Sequence, residues 1–195
     1  MEENARVAWD RRYREGSHSS RTPDPLLVRA YEEFITSAFP RPGRALDLAG
    51  GVGRHAIYLA ERGWRVTLVD ISSKATELAK SEAEARGLAI TCRQADLTEW
   101  PLPQAAFDLV LNFFYLERTL FSSIRRALKR GGMLIFKTYT RGQLKLGGGP
   151  THPMHLLESN ELLRAYRNLS ILHYHESVKG KAVAELIARK SSGQH

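Results

Sequence analysis

The chain has few of the features that mark secreted, membrane-spanning or disordered proteins. It holds one cysteine, Cys92, among 195 residues, so no internal disulfide can form and a reducing compartment is expected. Its apolar runs are short. None approaches the roughly 18 residues needed to cross a bilayer, and the longest, Leu109 to Leu116, is interrupted by Asn112. The N-terminus is charged and polar (Glu2, Glu3, Arg6, Asp10, Arg11) with no apolar leader, which makes the cytoplasm the expected location. Internal repeats, low-complexity stretches and Lys/Arg blocks are all missing. The net charge of +8 and the pI near 9.8 are instead spread along the chain. Only a mild cluster of Arg6, Arg11, Arg12, Arg14, Arg21 and Arg29 stands out. That distribution fits a solvated basic surface better than a nucleic-acid footprint, and keeps nucleic acid as a secondary choice of partner. His152 and His155 lie three apart with Glu158 as their nearest carboxylate, too small a set to predict a metal site.

What is present is a globular composition, 43% apolar and 26% charged, and enough length for one well-filled domain. The most informative segment is Asp47-Leu48-Ala49-Gly50-Gly51-Val52-Gly53. A short buried strand (Arg44 to Leu48) precedes it, and a helix (Arg54 to Arg62) follows. A second strand, Trp64 to Val69, then ends at the carboxylate of Asp70. Strand, glycine turn, helix, strand and acid make a nucleotide-binding βαβ unit, in which the turn admits a ligand to the backbone and the acid holds ribose hydroxyls. Gly51-Val52-Gly53-Arg54-His55-Ala56 also fits the glycine pattern of dinucleotide binders. A pyrophosphate, however, would be repelled by Asp47 at the turn. S-Adenosyl-L-methionine, with an ammonium, a sulfonium and no phosphate, suits that carboxylate better.

The remaining elements alternate. The pattern predicts a helix from a Ser72 or Ser73 cap to about Arg86, stopped at Gly87, with Ala75, Leu78, Ala79 and Ala83 on one face. Strands follow at Ala89 to Gln94, Phe107 to Asn112 and, after a helix over Thr119 to Lys129 and a Gly131-Gly132 turn, Met133 to Thr138. Arg141 to Pro153 reads as a loop, and Ser159 as the cap of a short helix carrying Leu162, Leu163 and Tyr166. Leu169 to Val178 and Lys181 to Arg189, joined at Lys179-Gly180, must be antiparallel. The expected fold is an α/β, Rossmann-like, doubly wound sheet of five parallel strands plus a C-terminal antiparallel hairpin strand, with helices on both faces. A single domain is expected, with a helical lid segment at 1–40 (helices at Val7 to Glu15 and Asp24 to Ala38), a core at 41–190 and a flexible tail at 191–195.

This assembly resembles the class I S-adenosylmethionine-dependent methyltransferases from about Arg41 to Lys190. It looks most like the small bacterial tellurite-resistance-type group, on four segments: Trp9-Asp10-Arg11-Arg12-Tyr13, the glycine turn through Arg54, Tyr115-Leu116-Glu117-Arg118-Thr119-Leu120-Phe121, and Phe136-Lys137-Thr138-Tyr139-Thr140. One departure is Ala49, where that family commonly has glycine. An extended backbone at Ala49 is the simpler expectation, because a positive φ would strain an alanine.

The resemblance implies that Asp47 faces the amine of the methionine moiety, lined by Ala49, Gly50 and Gly51. Gly53 is read equally as a ligand contact and as a packing glycine. Asp70 would accept the ribose hydroxyls, Ile71 and Leu97 would sandwich the adenine, Asp96 would take its exocyclic amine, and Asn112 would lie beside the methyl group. Trp9, with Tyr13 four residues on, would cover the pocket. Tyr115 and Arg118 are the candidate catalytic residues, Arg118 as the orienting group for an anionic acceptor. The duller readings are a turn cap for Asp47, a helix start for Asp70, an Asx turn for Asp96 and ordinary core or surface places for Tyr115 and Arg118. The expected partner is a small-molecule methyl acceptor, with no membrane. An RNA or DNA base methyltransferase and a non-catalytic cofactor-binding module are the alternatives. Asn112-Phe113-Phe114-Tyr115 only weakly resembles the Asn-Pro-Pro-Tyr of amine-methylating base enzymes, since phenylalanines lack the rigidity of the prolines. Oligomeric state is not legible.

Overall fold

The computed structural model describes residues 4–192; residues 1–3 of the expected lid segment and 193–195 of the expected tail lie outside the described residues. The chain forms two compact units, Met1–Pro101 and Leu102–His195.

In the first unit Asn4 caps helix α1 (Ala5–Arg14). Asp24 accepts the Leu26 N–H at 2.9 Å and Pro25 fills the first turn of α2 (Pro25–Ala30), the pairing that suits a helix start. This helix runs on through a widened π-helical turn, Tyr31–Ile35, into α3 (Thr36–Ala38), so the expected helix to Ala38 has the right extent but not one regular pitch. Strand β1 (Arg44–Leu48), helix α4 (Arg54–Ala60), strand β2 (Arg65–Asp70), helix α5 (Ser73–Ala85) and strand β3 (Ile90–Gln94) follow. β1 pairs with β2, and β2 with β3, all parallel. Ala45, Leu46, Leu48 and Leu68 are wholly buried, the continuous apolar content that a parallel sheet covered on both faces requires. Helix α4 ends two residues before the expected Arg62. Helix α5 matches its expectation: the Ser72 hydroxyl accepts from the Ala75 N–H, and Gly87 sits at φ 63° past its end.

In the second unit β4 (Phe107–Phe113) leads through a 3-10 turn (Arg118–Leu120) to α6 (Phe121–Ala127), shorter at both ends than the helix read from the sequence. Strand β5 (Leu128–Tyr139) begins five residues earlier than expected and carries Gly131-Gly132 inside it as a bulge. Phe107 pairs with Leu128, yet Leu109 pairs with Met133. A Cβ on Gly132 would come within 3.0–3.2 Å of the Lys129, Phe107 and Asp108 carbonyl oxygens, so the bulge needs glycine there. The short helix α7 (Glu161–Ala165) is preceded by Asn160 at φ 58°, not capped by Ser159, whose hydroxyl donates to Glu176 instead. Strands β6 (Ser170–Ser177) and β7 (Val183–Arg189) form the expected hairpin, and β7 also pairs antiparallel with β5.

Within the first unit the strand order is β3-β2-β1, and within the second it is β4-β5-β7-β6. The architecture is the expected Rossmann-like α/β fold, with seven strands because both arms of the hairpin pair within the second unit. No helix among the described residues is long and apolar enough to cross a membrane.

Candidate active site

Asp47 lies one residue from the end of β1 and is 1% exposed, and neither of its carboxylate oxygens has a hydrogen-bond partner. Burial pushes its pKa up to about 7 and the neighbouring Asp70 adds to it, while Arg54 and the nearby Ala56 N–H, which falls outside hydrogen-bond geometry, pull the other way. A carboxyl this deeply buried is costly to a fold even with Arg54 near it, and is the kind of group that a cationic ligand would settle.

The turn after it is built tightly. A Cβ on Gly50 would meet Leu68 at 2.7 Å and the Asp47 carboxylate at 2.9 Å. Gly51 (φ 56°) donates its N–H to Asp70 Oδ2 at 2.8 Å, and Ser72 N–H donates to Asp70 Oδ1 at 2.9 Å. Asp70, 5% exposed, therefore ties the glycine turn to the start of α5, which includes its helix-start reading. Each oxygen retains a lone pair for a further donor. Burial raises the Asp70 pKa, with Asp10 adding to it, against the backbone N–H groups of Ser72, Gly51 and Ile71 that lower it. Gly53 (φ 81°) sits where a Cβ would press on Ala79 at 3.1 Å, which supports its packing reading.

Ala49 corrects the sequence expectation. Its φ is 50°, left-handed rather than extended, because the chain must reverse at once after β1. The strain of that conformation for an alanine is about 1–2 kcal/mol. Ala49→Gly is therefore expected to raise stability by about 0.5–1 kcal/mol, after the larger unfolded-state freedom of glycine is allowed for. Thermal unfolding checks this, and an unchanged or lower Tm would show that the methyl group makes up for the strain by packing.

Helix α1 is fastened over this turn by a contact the sequence reading did not isolate. Asp10, 7% exposed, accepts from Ser72 Oγ (2.6 Å), Lys74 N–H (3.1 Å) and Ser73 Oγ (3.3 Å) at the start of α5. Burial works to raise its pKa, but these hydrogen bonds outweigh it and hold the carboxyl below its usual range. One turn on, Tyr13 brings its hydroxyl to 2.6 Å from where a Gly51 Cβ would be, and burial together with Asp70 raises its pKa. Trp9 stacks beside it, ring centroids 5.9 Å apart, with Arg12 over the indole at 4.8 Å. The signal for Asp10 was its place between Trp9 and Tyr13, on the same helical stretch.

Of the adenine candidates, Ile71 is half-buried and Leu97 is buried. Asp96 forms the Asx turn of its duller reading, Oδ1 accepting from the Thr98 N–H (2.9 Å) and hydroxyl (2.7 Å).

In the second unit Asn112, 1% exposed near the end of β4, donates its amide N–H to the Tyr115 carbonyl at 2.7 Å. Tyr115 is half-buried. Arg118 is largely committed: it grips Glu161 through Nε (2.7 Å) and Nη2 (3.0 Å), and donates to the Met154 and Leu156 carbonyls at 2.8 and 2.9 Å. Four of its five N–H donors are used within the fold. His152 and His155 have ring centroids 5.9 Å apart on the same segment. Among the described residues no group of three or more His, Cys, Asp or Glu side chains is placed to hold a metal.

Residues 45–132 match the sequence family described as a methyltransferase domain. The tRNA 5-carboxymethoxyuridine methyltransferase of Escherichia coli K12 is 30% identical over 132 residues, 64% of this chain and 51% of that protein. The demethylmenaquinone methyltransferase of Thermus thermophilus is 38% identical over 102 residues, 48% of this chain and 46% of that protein. The chain thus spans about half the length of the curated relatives it matches. Among solved structures, TehB from Haemophilus influenzae superposes with a TM-score of 0.74 at 19% identity, over 92% of this chain and 66% of that one. Over residues 45–132 the chain is thus similar to a methyltransferase domain, and its fold is that of solved S-adenosylmethionine-dependent methyltransferases.

Proposed function

We propose that the chain catalyses in-line transfer of a methyl group from S-adenosylmethionine to a small-molecule acceptor. The observation that carries this reading is the buried, unpartnered carboxylate of Asp47 at the glycine turn. It favours a ligand bearing an ammonium and a sulfonium and disfavours a diphosphate. When bound, S-adenosylmethionine supplies an electrophilic methyl group, and so most of the chemical driving force. The protein's own task is positioning, which contributes up to about 7–11 kcal/mol in well-oriented systems. Asp47 receives the amine, with Ala49, Gly50 and Gly51 as the adjoining wall. Asp70 holds the ribose, Ile71 and Leu97 flank the adenine, and Asp96 uses the oxygen left by its turn. Trp9 and Tyr13 on α1 exclude water, and Asp10 holds that helix closed. Tyr115 is the candidate contact to the acceptor. Arg118 is a positioning residue that fixes the Met154–Leu156 segment, a change from the direct acceptor contact expected of it. The lid, core and tail are read as parts of one catalytic domain.

Calorimetry with S-adenosylmethionine, S-adenosylhomocysteine and NADH tests the cofactor assignment. The first two are expected to bind and NADH is not. Tight NADH binding without binding of the adenosyl sulfur compounds would overturn it.

A nucleic-acid acceptor is the second reading, favoured by the tRNA-modifying relative and the pI near 9.8. Retention on RNA that falls steeply with salt would support it. The tellurite-type subgroup rests on the four short segments given above; the fold shared with TehB at 19% identity does not choose among acceptors.

A further inference from the structure

Phe114 is the first residue past β4, and its φ is 59°. A phenylalanine in the left-handed region is a true outlier, costing about 1–3 kcal/mol, and persists only where its surroundings hold it. Here its N–H donates to the Lys137 carbonyl at 2.7 Å, carrying the β4–β5 pairing one step beyond Phe113 opposite Lys137. A glycine would make the same turn without strain. The phenyl ring is therefore the feature to explain.

That ring lies against Tyr139 at the end of β5, centroids 5.2 Å apart and planes tilted by 48°. Both residues are half-buried, so the pair has an open side. Two ammonium groups stand over the phenyl ring, Lys181 at 5.2 Å and Lys137 at 5.9 Å. They differ in one respect. Lys137 is paired with Glu185 at 2.9 Å. Lys181, exposed on the turn before β7, has no carboxylate partner among the described residues. All four side chains gather where β4 and β5 end and β7 begins, Tyr139 pairing with Val183. This is the carboxyl edge of the parallel strands, where open α/β sheets take their ligands.

We propose that Phe114, Tyr139 and Lys181 form the face that recognises the methyl acceptor, and that this acceptor is a planar organic anion, a small aromatic carboxylate or a close equivalent. The proposal rests on the methyltransferase reading and narrows its substrate class. The tilted ring pair offers a slot edge for a flat molecule, worth about 0.5–1.5 kcal/mol per aromatic contact. A single uncompensated ammonium supplies a point countercharge, suited to one carboxylate rather than to bidentate capture. An inorganic oxyanion would have no use for the rings. A folded RNA would need several phosphate contacts, whereas among the described residues Lys181 is the cation without a carboxylate partner that stands over the phenyl ring.

The test uses the full chain saturated with S-adenosylhomocysteine and titrates a panel of hydroxybenzoates by ligand-observed NMR. The neutral hydroxybenzamides and cyclohexanecarboxylate serve as controls for charge and planarity. The wild type is expected to prefer the hydroxybenzoates over both controls by about fivefold or more. Lys181→Gln, an exposed change, is expected to abolish the preference for the acid over its amide. Phe114→Asn, which tolerates the left-handed backbone, is expected to abolish the preference for the flat acid over cyclohexanecarboxylate. S-Adenosylhomocysteine binding is expected to be intact in both variants. Absence of hydroxybenzoate binding, or an unchanged acid preference in Lys181→Gln, would overturn the proposal while leaving the methyltransferase reading in place. Displacement of the hydroxybenzoates by oligouridylate in a salt-sensitive manner would overturn it in favour of RNA. Failure of S-adenosylhomocysteine itself to bind would instead remove the reading beneath it.

Discussion

Replacing Asp47 by asparagine is expected to weaken S-adenosylmethionine binding by about 10–100-fold while making the unliganded protein more heat-stable at pH 8. The two effects share one cause. Asp47 is buried without a hydrogen-bond partner, and its pKa is pushed from 3.8 up to about 7. A carboxyl whose folded pKa lies above its unfolded value binds more protons in the folded state between those two pH values. Stability therefore falls as pH rises from about 4 to about 7, and the whole penalty, on the order of a few kcal/mol, is present above that range. Asparagine cannot ionise, so the variant escapes this penalty, although burying its amide returns about 1–3 kcal/mol of cost. The clean readout is the difference in Tm between variant and wild type. It should shift in favour of the variant by roughly 5 °C between pH 5 and pH 8. Binding should move the opposite way with pH. Wild-type affinity for S-adenosylmethionine should rise as pH increases through 7 and Asp47 ionises to meet the ligand's ammonium. The affinity of the variant should lack that rise. A wild-type affinity that is flat from pH 6 to 8, beside an unchanged affinity in Asp47→Asn, would sever Asp47 from the cofactor.

The turn that holds Asp47 could be read from sequence because its constraints are local. A β-branched strand, glycines that permit close approach and an acid at the next strand end are all contained within Arg44 to Asp70, and the strands stand within a residue of where the pattern puts them. The same locality served α5, whose Ser72 cap and Gly87 stop are both neighbours of the helix. What escaped were features set by distant partners. The conformation of Ala49 depends on how sharply β1 must hand over to the turn, and no propensity reveals that an alanine accepts φ 50°. Asp10 acquires its function only when α1 reaches the start of α5, more than sixty residues away in sequence. Arg118 looked available for an acceptor because Glu161, its partner, is 43 residues downstream. The bulge within β5 lies beyond any local code, since Gly131-Gly132 signals a turn whether or not pairing continues around it.

Asp70→Ala is expected to weaken cofactor binding at least about tenfold and also to lower Tm by roughly 5–15 °C, a pairing that calls for separating contact from scaffold. The carboxylate accepts one backbone N–H from the glycine turn and one from the start of α5, at 2.8 and 2.9 Å, in a place only 5% exposed. Removing it leaves two poorly solvated N–H groups without an acceptor, at about 1–3 kcal/mol each, and each kcal/mol is about 2–4 °C for a chain of this size. A loss of affinity alone would thus follow even if Asp70 never touched a ligand, because the turn it holds would slacken. A double-mutant cycle with the ligand resolves this. Wild type should bind a 2′-deoxy analogue of S-adenosylhomocysteine about tenfold less tightly than S-adenosylhomocysteine itself, the worth of one charge-assisted hydrogen bond. Asp70→Ala, having already lost the acceptor, should hardly distinguish the two ligands. Equal discrimination by both proteins would leave Asp70 as the tie between turn and helix and place the ribose elsewhere.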